Sequence, residues 1–370
     1  MQVTKSAGNG CIIRAMCASS AEWRTLGRVL GRPPWRTLVP IGVVALILVV
    51  AYALWSPGRE FSDGRHDRGT NAIWIGHGWL GVDEWFERQG RDDEVQLFRE
   101  PERITELAAR LRRHHITDVY PHLCPCRSIG ELPLVDEEQA RRFVDGMDGI
   151  RVIPWIGGVN GRDCRPESVE WRKRFVAEVC RLLEAQPGLA GIQLNIEPWP
   201  SGDVDLLALL EEMRTALPQD KLLGVAAYPP PTIWHRHPEV HWDEAYFREV
   251  ARRCDQMAVM MYDTALRSSK FYRKLMADWT REVLSWSGET PVLLGVPTYD
   301  DAGTGYHRPE VENLGNALAG IHAGLAEMEE GGEMSKDLLP ANYRGVAIYC
   351  EWETEEGEWG EFRERFLRRR

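Results

Sequence analysis

The 370-residue chain is 44% hydrophobic and 27% charged, an ordinary globular composition that excludes a disordered or collagen-like protein and leaves material for a large core. Its net charge of −11 becomes −16, with 39 basic against 55 acidic side chains, once residues 1–55 are set aside. So acidic a domain repels nucleic acid and other polyanions, and a neutral or cationic ligand is expected.

The chain opens with a basic segment, 1–37, in which Lys5, Arg14, Arg24, Arg28, Arg32 and Arg36 outweigh one acid, Glu22. Residues 38–55 then run 18 positions without a charge, long enough for a slightly short transmembrane helix. The basic flank keeps the N-terminus cytoplasmic and sends everything after Trp55 across the membrane. Two readings compete: an uncleaved signal anchor, or a signal peptide cut after Ala53 in the small-x-small run Ala51-Tyr52-Ala53, which would secrete the rest. The long leader favours the anchor. Residues 56–70 are polar, glycine-containing and without apolar period, and read as a stalk.

From 71 to 370 apolar strand candidates alternate with helical patterns. The strands fall at 72–76, 117–123, 150–156, 189–197, 222–228, 256–262, 291–297 and 345–350. The helices fall near 101–114, 136–147, 167–186, 203–216, 243–254, 270–286, 312–329 and 358–367. Eight strand–helix units over about 300 residues predict an α/β protein of the (β/α)8 TIM-barrel type. A doubly wound open sheet has a similar rhythm but rarely reaches eight units, and no glycine-rich dinucleotide turn follows the first strand.

In such a barrel the chemistry sits at the carboxyl ends of the strands. The fourth strand is the most informative. Ile192, Leu194 and Ile196 alternate with Gln193, Asn195 and Glu197, so one face is greasy and the other carries three polar groups ending in an acid. A strand flanked by helices has no watery face unless it lines the barrel mouth, which makes Glu197 the leading candidate for a working acid. Other strands end in aromatic side chains: Trp155 on the third, Tyr228 on the fifth, Tyr262 and Asp263 on the sixth, Tyr299 on the seventh. Tyr349, Glu351 and Trp352 stand at the eighth, and Trp199 lies just past Glu197. Rings stack on sugar faces while carboxyls and hydroxyls bond their edges, so the rim points to a glycan substrate. Cys124-Pro125-Cys126 lies within reach of Cys164 in the next loop. It lacks the second paired cluster of a zinc site, so a disulfide or free thiols are expected rather than metal.

These strand ends resemble the glycoside hydrolase family 18 barrel, the chitinase-like group, over residues 70–367. The family's DxxDxDxE on the fourth strand aligns with 190–197: the final glutamate matches Glu197, and Ala190, Gln193 and Asn195 replace the aspartates. The third strand's SxGG appears as Trp155-Ile156-Gly157-Gly158, and the sixth strand's MxYD is intact as Met260-Met261-Tyr262-Asp263. GxPxY stands as Gly295-Val296-Pro297-Thr298-Tyr299, and Tyr349 takes the place of the family's usual tryptophan. The Asn195-x-Glu197 spacing also resembles the family 85 endo-β-N-acetylglucosaminidases.

The resemblance implies substrate-assisted, retaining hydrolysis of a β-linked 2-acetamido sugar, in chitin-like polymers or peptidoglycan, with no cofactor and no metal. Glu197 would protonate the leaving oxygen and then activate water, Tyr262 would hold the acetamido oxygen, and Asp263 would order its neighbours. Asn195 would accept the acetamido N–H without supplying countercharge. Gln193, with the rim aromatics and Glu351, would bind substrate. Three alternatives stay open: a non-hydrolytic glycan-binding barrel, a glycosidase pairing Glu197 with Glu351 as nucleophile, and a metal hydrolase using His77, His122 and an aspartate. Oligomeric state is not legible.

Overall fold

In a computed structural model the described residues are 35–233, 239–332 and 339–368, with 35–39 described for their backbone only. The chain divides into two units, Met1–Trp55 and Ser56–Arg370.

The described part of the first unit is helix α1 (Trp35–Leu54), 20 residues long. Leu46, Leu48 and Val49 on it are exposed. Among the described residues no helix is long and apolar enough to cross a membrane. The membrane span expected over 38–55 therefore gains no support among the described residues.

The second unit is a closed parallel barrel. Its strands are β1 (Asn71–Ile75), β2 (Ile116–Leu123), β3 (Arg151–Val152), β4 (Trp155–Val159), β5 (Gly191–Glu197), β6 (Leu222–Ala227), β7 (Gln256–Val259), β8 (Val292–Pro297) and β9 (Tyr343–Tyr349). Neighbours in sequence pair in parallel around the ring, and β1 closes it by pairing with both β2 and β9, at Trp74 opposite Tyr120 and Ala72 opposite Ala347. The short β3 and β4 together fill the third barrel position. Both pair with β2, and Pro154, which has no N–H to give the ladder, interrupts them. Eight barrel positions result, as expected from the sequence.

The helices of the second unit are α2 (Asp83–Gln89), α3 (Pro101–Arg113), α4 (Glu137–Gly146), α5 (Val169–Ala185), α6 (Val204–Ala216), α7 (Glu244–Ala251), α8 (Ser269–Trp286), α9 (Leu314–Glu330) and α10 (Glu356–Arg365). All but α2 fall where periodicity placed them. Side chains of Asp136, Ser168, Asp203, Asp243 and Asn313 accept backbone N–H groups in the first turns of α4, α5, α6, α7 and α9. Such caps satisfy donors that a helix start leaves orphaned, each worth about 1 kcal/mol.

Strand parity sorts the core into two shells. Ile192, Leu194 and Ile196 of β5 point outward into the large apolar layer beneath the helices. The barrel interior is filled separately, by Trp74, Tyr120, Ile153, Trp155, Leu293 and small alanines. Deeper inside, Tyr120 Oη donates to Gln256 Oε1 (2.9 Å), Gln256 Nε2 donates to Asp118 Oδ2 (2.8 Å), and Arg151 pairs with Asp118 (2.7 Å). That network satisfies every group it buries, as a dry interior requires.

Residues 56–70 are not a stalk. Arg59 N donates to Ala319 O (2.9 Å), and its guanidinium forks onto Glu330. His66 and Asp67 are buried: the His66 and His322 Nδ1 atoms lie 2.6 Å apart, while Asp67 Oδ2 faces His115 Nδ1 (2.5 Å) and accepts from Arg368 N (3.0 Å). Polarity misled the sequence reading here, because these groups find partners in α9, the end of α3 and the C-terminus rather than in water.

Candidate active site

The carboxyl ends of the strands open into a cavity of about 780 Å³. Glu197 lines it together with Trp74, Trp155, Tyr228, Tyr262, Asp263, Tyr299, Tyr349 and Trp352. Glu197 is the last residue of β5, and its parity with Gln193 and Asn195 turns it inward. The close approach of β4 makes this packing possible. At Gly157 (φ 135°) a Cβ would lie 2.0 Å from Asn195 O, so the first glycine of the pair at 157–158 has no substitute.

Asn195 Nδ2 donates to Glu197 Oε1 at 2.8 Å. Burial raises the pKa of the Glu197 carboxyl; the Asn195 amide opposes the rise and the negative charge of Asp263 adds to it. The other end of the amide is bare: Asn195 Oδ1 is buried and has no hydrogen-bond partner among the described residues. A buried acceptor left open costs free energy unless a ligand donor fills it.

Tyr262 packs in a nest of rings, stacked on Tyr349 (5.4 Å between centroids) and edge-on to Tyr299 (5.8 Å). Asp263 follows it in the left-handed region, φ 61°, which aspartate tolerates better than most residues. Its Oδ1 accepts from Tyr299 Oη and lies 3.2 Å from His307 Nδ1. His307 is buried, stacked on Tyr299, and its Nε2–H donates to Tyr299 O (3.0 Å). Behind it Glu312 is fully buried, with Oε2 accepting Thr264 N (2.9 Å). Burial raises the Glu312 pKa to about 7, while burial opposes and the Asp263 and Glu312 carboxyls drive an upward shift at His307.

Among the described residues, Asp263, His307 and Glu312 are the group whose ligand atoms, within 4.8 Å of one another, could hold a metal ion. Tyr299 and Thr264 already occupy one oxygen of each carboxylate. His77 and His122, considered as metal ligands from the sequence, pack with their ring centroids 3.6 Å apart, His77 stacked on Trp85 and His122 edge-on to Trp155. Burial lowers the His77 pKa to about 3.

Of the residues singled out in sequence, Glu197, Tyr262, Asp263, Trp155, Tyr228, Tyr299, Tyr349 and Trp352 line this cavity. Four do not. Asn195 is buried and reaches the site through its hydrogen bond to Glu197. Gln193 is buried below, its Oε1 accepting Trp74 Nε1 at 2.7 Å, so it sets the orientation of a lining ring. Trp199 is 1% exposed; its Nε1 donates to Tyr246 Oη (2.5 Å) and its carbonyl accepts Trp242 Nε1 (2.8 Å), which makes it core. Glu351 is not among the residues that line the cavity; it lies beside Trp79, in the field of Arg110 and Arg103. Sequence reasoning missed Trp74, Tyr306, His307 and Glu312. β1 is buried at every position, so its parity is unreadable, and the other three sit in or after a loop with no pattern of its own.

No protein-family model matches the sequence, and no curated protein matches it. Solved structures do. The spore cortex-lytic enzyme SleL of Bacillus cereus superposes with a TM-score of 0.50 at 11% identity, over 80% of this chain and 74% of that one. SleL of Bacillus megaterium gives 0.51 at 11% identity over 81% and 75%. A chitinase from Chromobacterium violaceum gives 0.51 at 13% identity over 80% of this chain and 98% of that one. At such identities the likeness is one of fold alone: a (β/α)8 barrel shared with these enzymes.

Proposed function

We propose that the barrel is a glycoside hydrolase acting on β-linked 2-acetamido sugars, of chitin-like polymers or peptidoglycan, with Glu197 as acid and base. The observation that carries the reading is Asn195. One end of its amide bonds the desolvated acid, and the other presents a buried, open acceptor beside it. An acetamido N–H is the donor that would fill it, which would turn the acetamido oxygen toward the anomeric carbon.

Glu197, whose neutral form burial favours, gives its proton to the leaving oxygen as the acetamido oxygen closes on that carbon. The resulting carboxylate then takes a proton from the water that opens the ring intermediate. Tyr262 holds the acetamido group from the facing wall, and the rings of Trp74, Trp155 and Trp352 stack on the sugars. A chitinase and cortex-lytic enzymes among the structures of shared fold support the same substrate class. The basic leader and the uncharged run in α1 support a membrane tether with the barrel outside the cytoplasm; retention of the chain in the membrane pellet after alkaline carbonate extraction tests it.

Product release from N-acetylglucosamine oligomers and from peptidoglycan, followed by mass spectrometry on the full chain, tests the activity. Retention of oligomers without any product would make this a glycan-binding barrel.

A further inference from the structure

Cys126 lies just past β2, and Cys164 closes the turn after β4. Both side chains are buried and their sulfurs are 3.3 Å apart. A disulfide needs about 2.05 Å, an approach of roughly 1.3 Å between two side chains already held together: Cys126 N donates to Gly157 O of β4 at 2.7 Å, and Cys126 Sγ lies 3.3 Å from Asp163 O beside Cys164. Cys124, the other thiol of the Cys-Pro-Cys run, is turned elsewhere, with its sulfur 3.2 Å from Trp155 O.

We propose that Cys126 and Cys164 are a disulfide-forming pair that fastens the loop supporting the backbone at Glu197. The physical connection is short. Gly161 N donates to Cys164 O (2.8 Å), Asn160 N donates to Glu197 O (2.8 Å), and Asn160 Nδ2 donates to Pro198 O (3.1 Å). A bond at Cys164 therefore holds the turn that carries Asn160, and Asn160 holds the residue bearing the acid. The importance of that acid rests on the proposed function; the linkage itself does not.

The bond forms by exchange with a disulfide donor, such as oxidised glutathione. One thiolate attacks the donor disulfide, giving a mixed disulfide and one released thiol. The second thiolate then attacks the protein sulfur of that mixed disulfide and releases the other donor thiol. Two protein thiols are oxidised by two electrons, the donor is reduced by two, and both protons end on donor thiols.

The test brings the full chain to equilibrium in mixtures of oxidised and reduced glutathione, approached from both the oxidised and reduced sides. Denaturation in alkylating reagent and peptide mapping follow. The expected result is a Cys126–Cys164 linked peptide, with both cysteines alkylated only after strong reduction. Alkylation or glutathionylation of both at every ratio, or a bond through Cys124, overturns the pairing. Hydrogen exchange on the same samples tests the fastening, since the Asn160 amide should exchange several-fold more slowly in the linked form. Equal exchange overturns that role whether or not the barrel hydrolyses any glycan.

Discussion

The amide of Asn195 and the carboxyl of Glu197 form one unit: Nδ2 donates to Oε1 at 2.8 Å, and Oδ1 on the far side of the same group is buried without a partner. The hydrogen bond stabilises the charged form of Glu197, against the desolvation that favours the neutral acid. Asn195→Ala should therefore raise the acid's pKa further and lower turnover of acetamido substrates by about 10²-fold, the scale of one preorganised polar contact. Asn195→Asp should move the pH–rate profile to higher pH, because a second negative charge beside Glu197 favours its protonated form. Profiles of kcat/KM that superpose for wild type and both variants would contradict the pairing.

The buried group behind Asp263 predicts a pH-dependent stability difference. Glu312 has an ordinary pKa of 4.5 and about 7 in the fold, so the folded state binds its proton more tightly than the unfolded one. Stability from this group is fully present below about 4.5 and is lost as pH rises through 7. His307, also shifted up, acts in the same direction above its ordinary 6.5. The Tm of Glu312→Gln minus that of wild type should grow as pH rises from about 4.5 to 7. Parallel melting curves across that window would show Glu312 to be ionised throughout.

Two tryptophans offered by the sequence as sugar platforms have opposite fates. Trp352 is 45% exposed on the cavity rim, whereas Trp199 is 1% exposed in the core. Trp352→Ala should weaken oligomer binding about tenfold and leave Tm within a degree or so, the loss of one stacking face. Trp199→Ala should cost about 3–5 kcal/mol of stability, as for other buried large-to-small changes. Calorimetry and oligomer titration on both variants check the assignment.

Gln193 predicts a subtler effect. Its replacement by Ala leaves Trp74 Nε1 without its acceptor inside the barrel, at a cost of about 1–3 kcal/mol in stability. The freed ring should raise KM more than it lowers kcat, since the role proposed for Trp74 is to stack on the sugar rather than to act on the reacting bond. A kcat loss with unchanged KM would place Gln193 in the chemistry instead.

The barrel was legible because its strands are short apolar runs alternating with helical patterns, several of which start at a cap such as Asp136, Ser168 or Asp203. Glu197 and Asn195 were legible because period-two alternation turns both inward. The misassignments share a cause. Trp199 and Glu351 lie past the ends of their strands, where parity no longer fixes direction, so Trp199 folds back under α7 and Glu351 takes no part in the cavity lining. His307 and Glu312 come from a loop whose path only the fold decides, and the polar run 56–70 concealed the buried side chains of His66 and Asp67.

The most direct test of the account compares wild type with Glu197→Gln on N-acetylglucosamine oligomers and peptidoglycan, reading reducing-end release by mass spectrometry. The account predicts products from the wild type, a fall of about 10²–10⁴-fold in turnover for the variant, and unchanged oligomer binding. Equal turnover by the two proteins would contradict it and remove Glu197 from the chemistry.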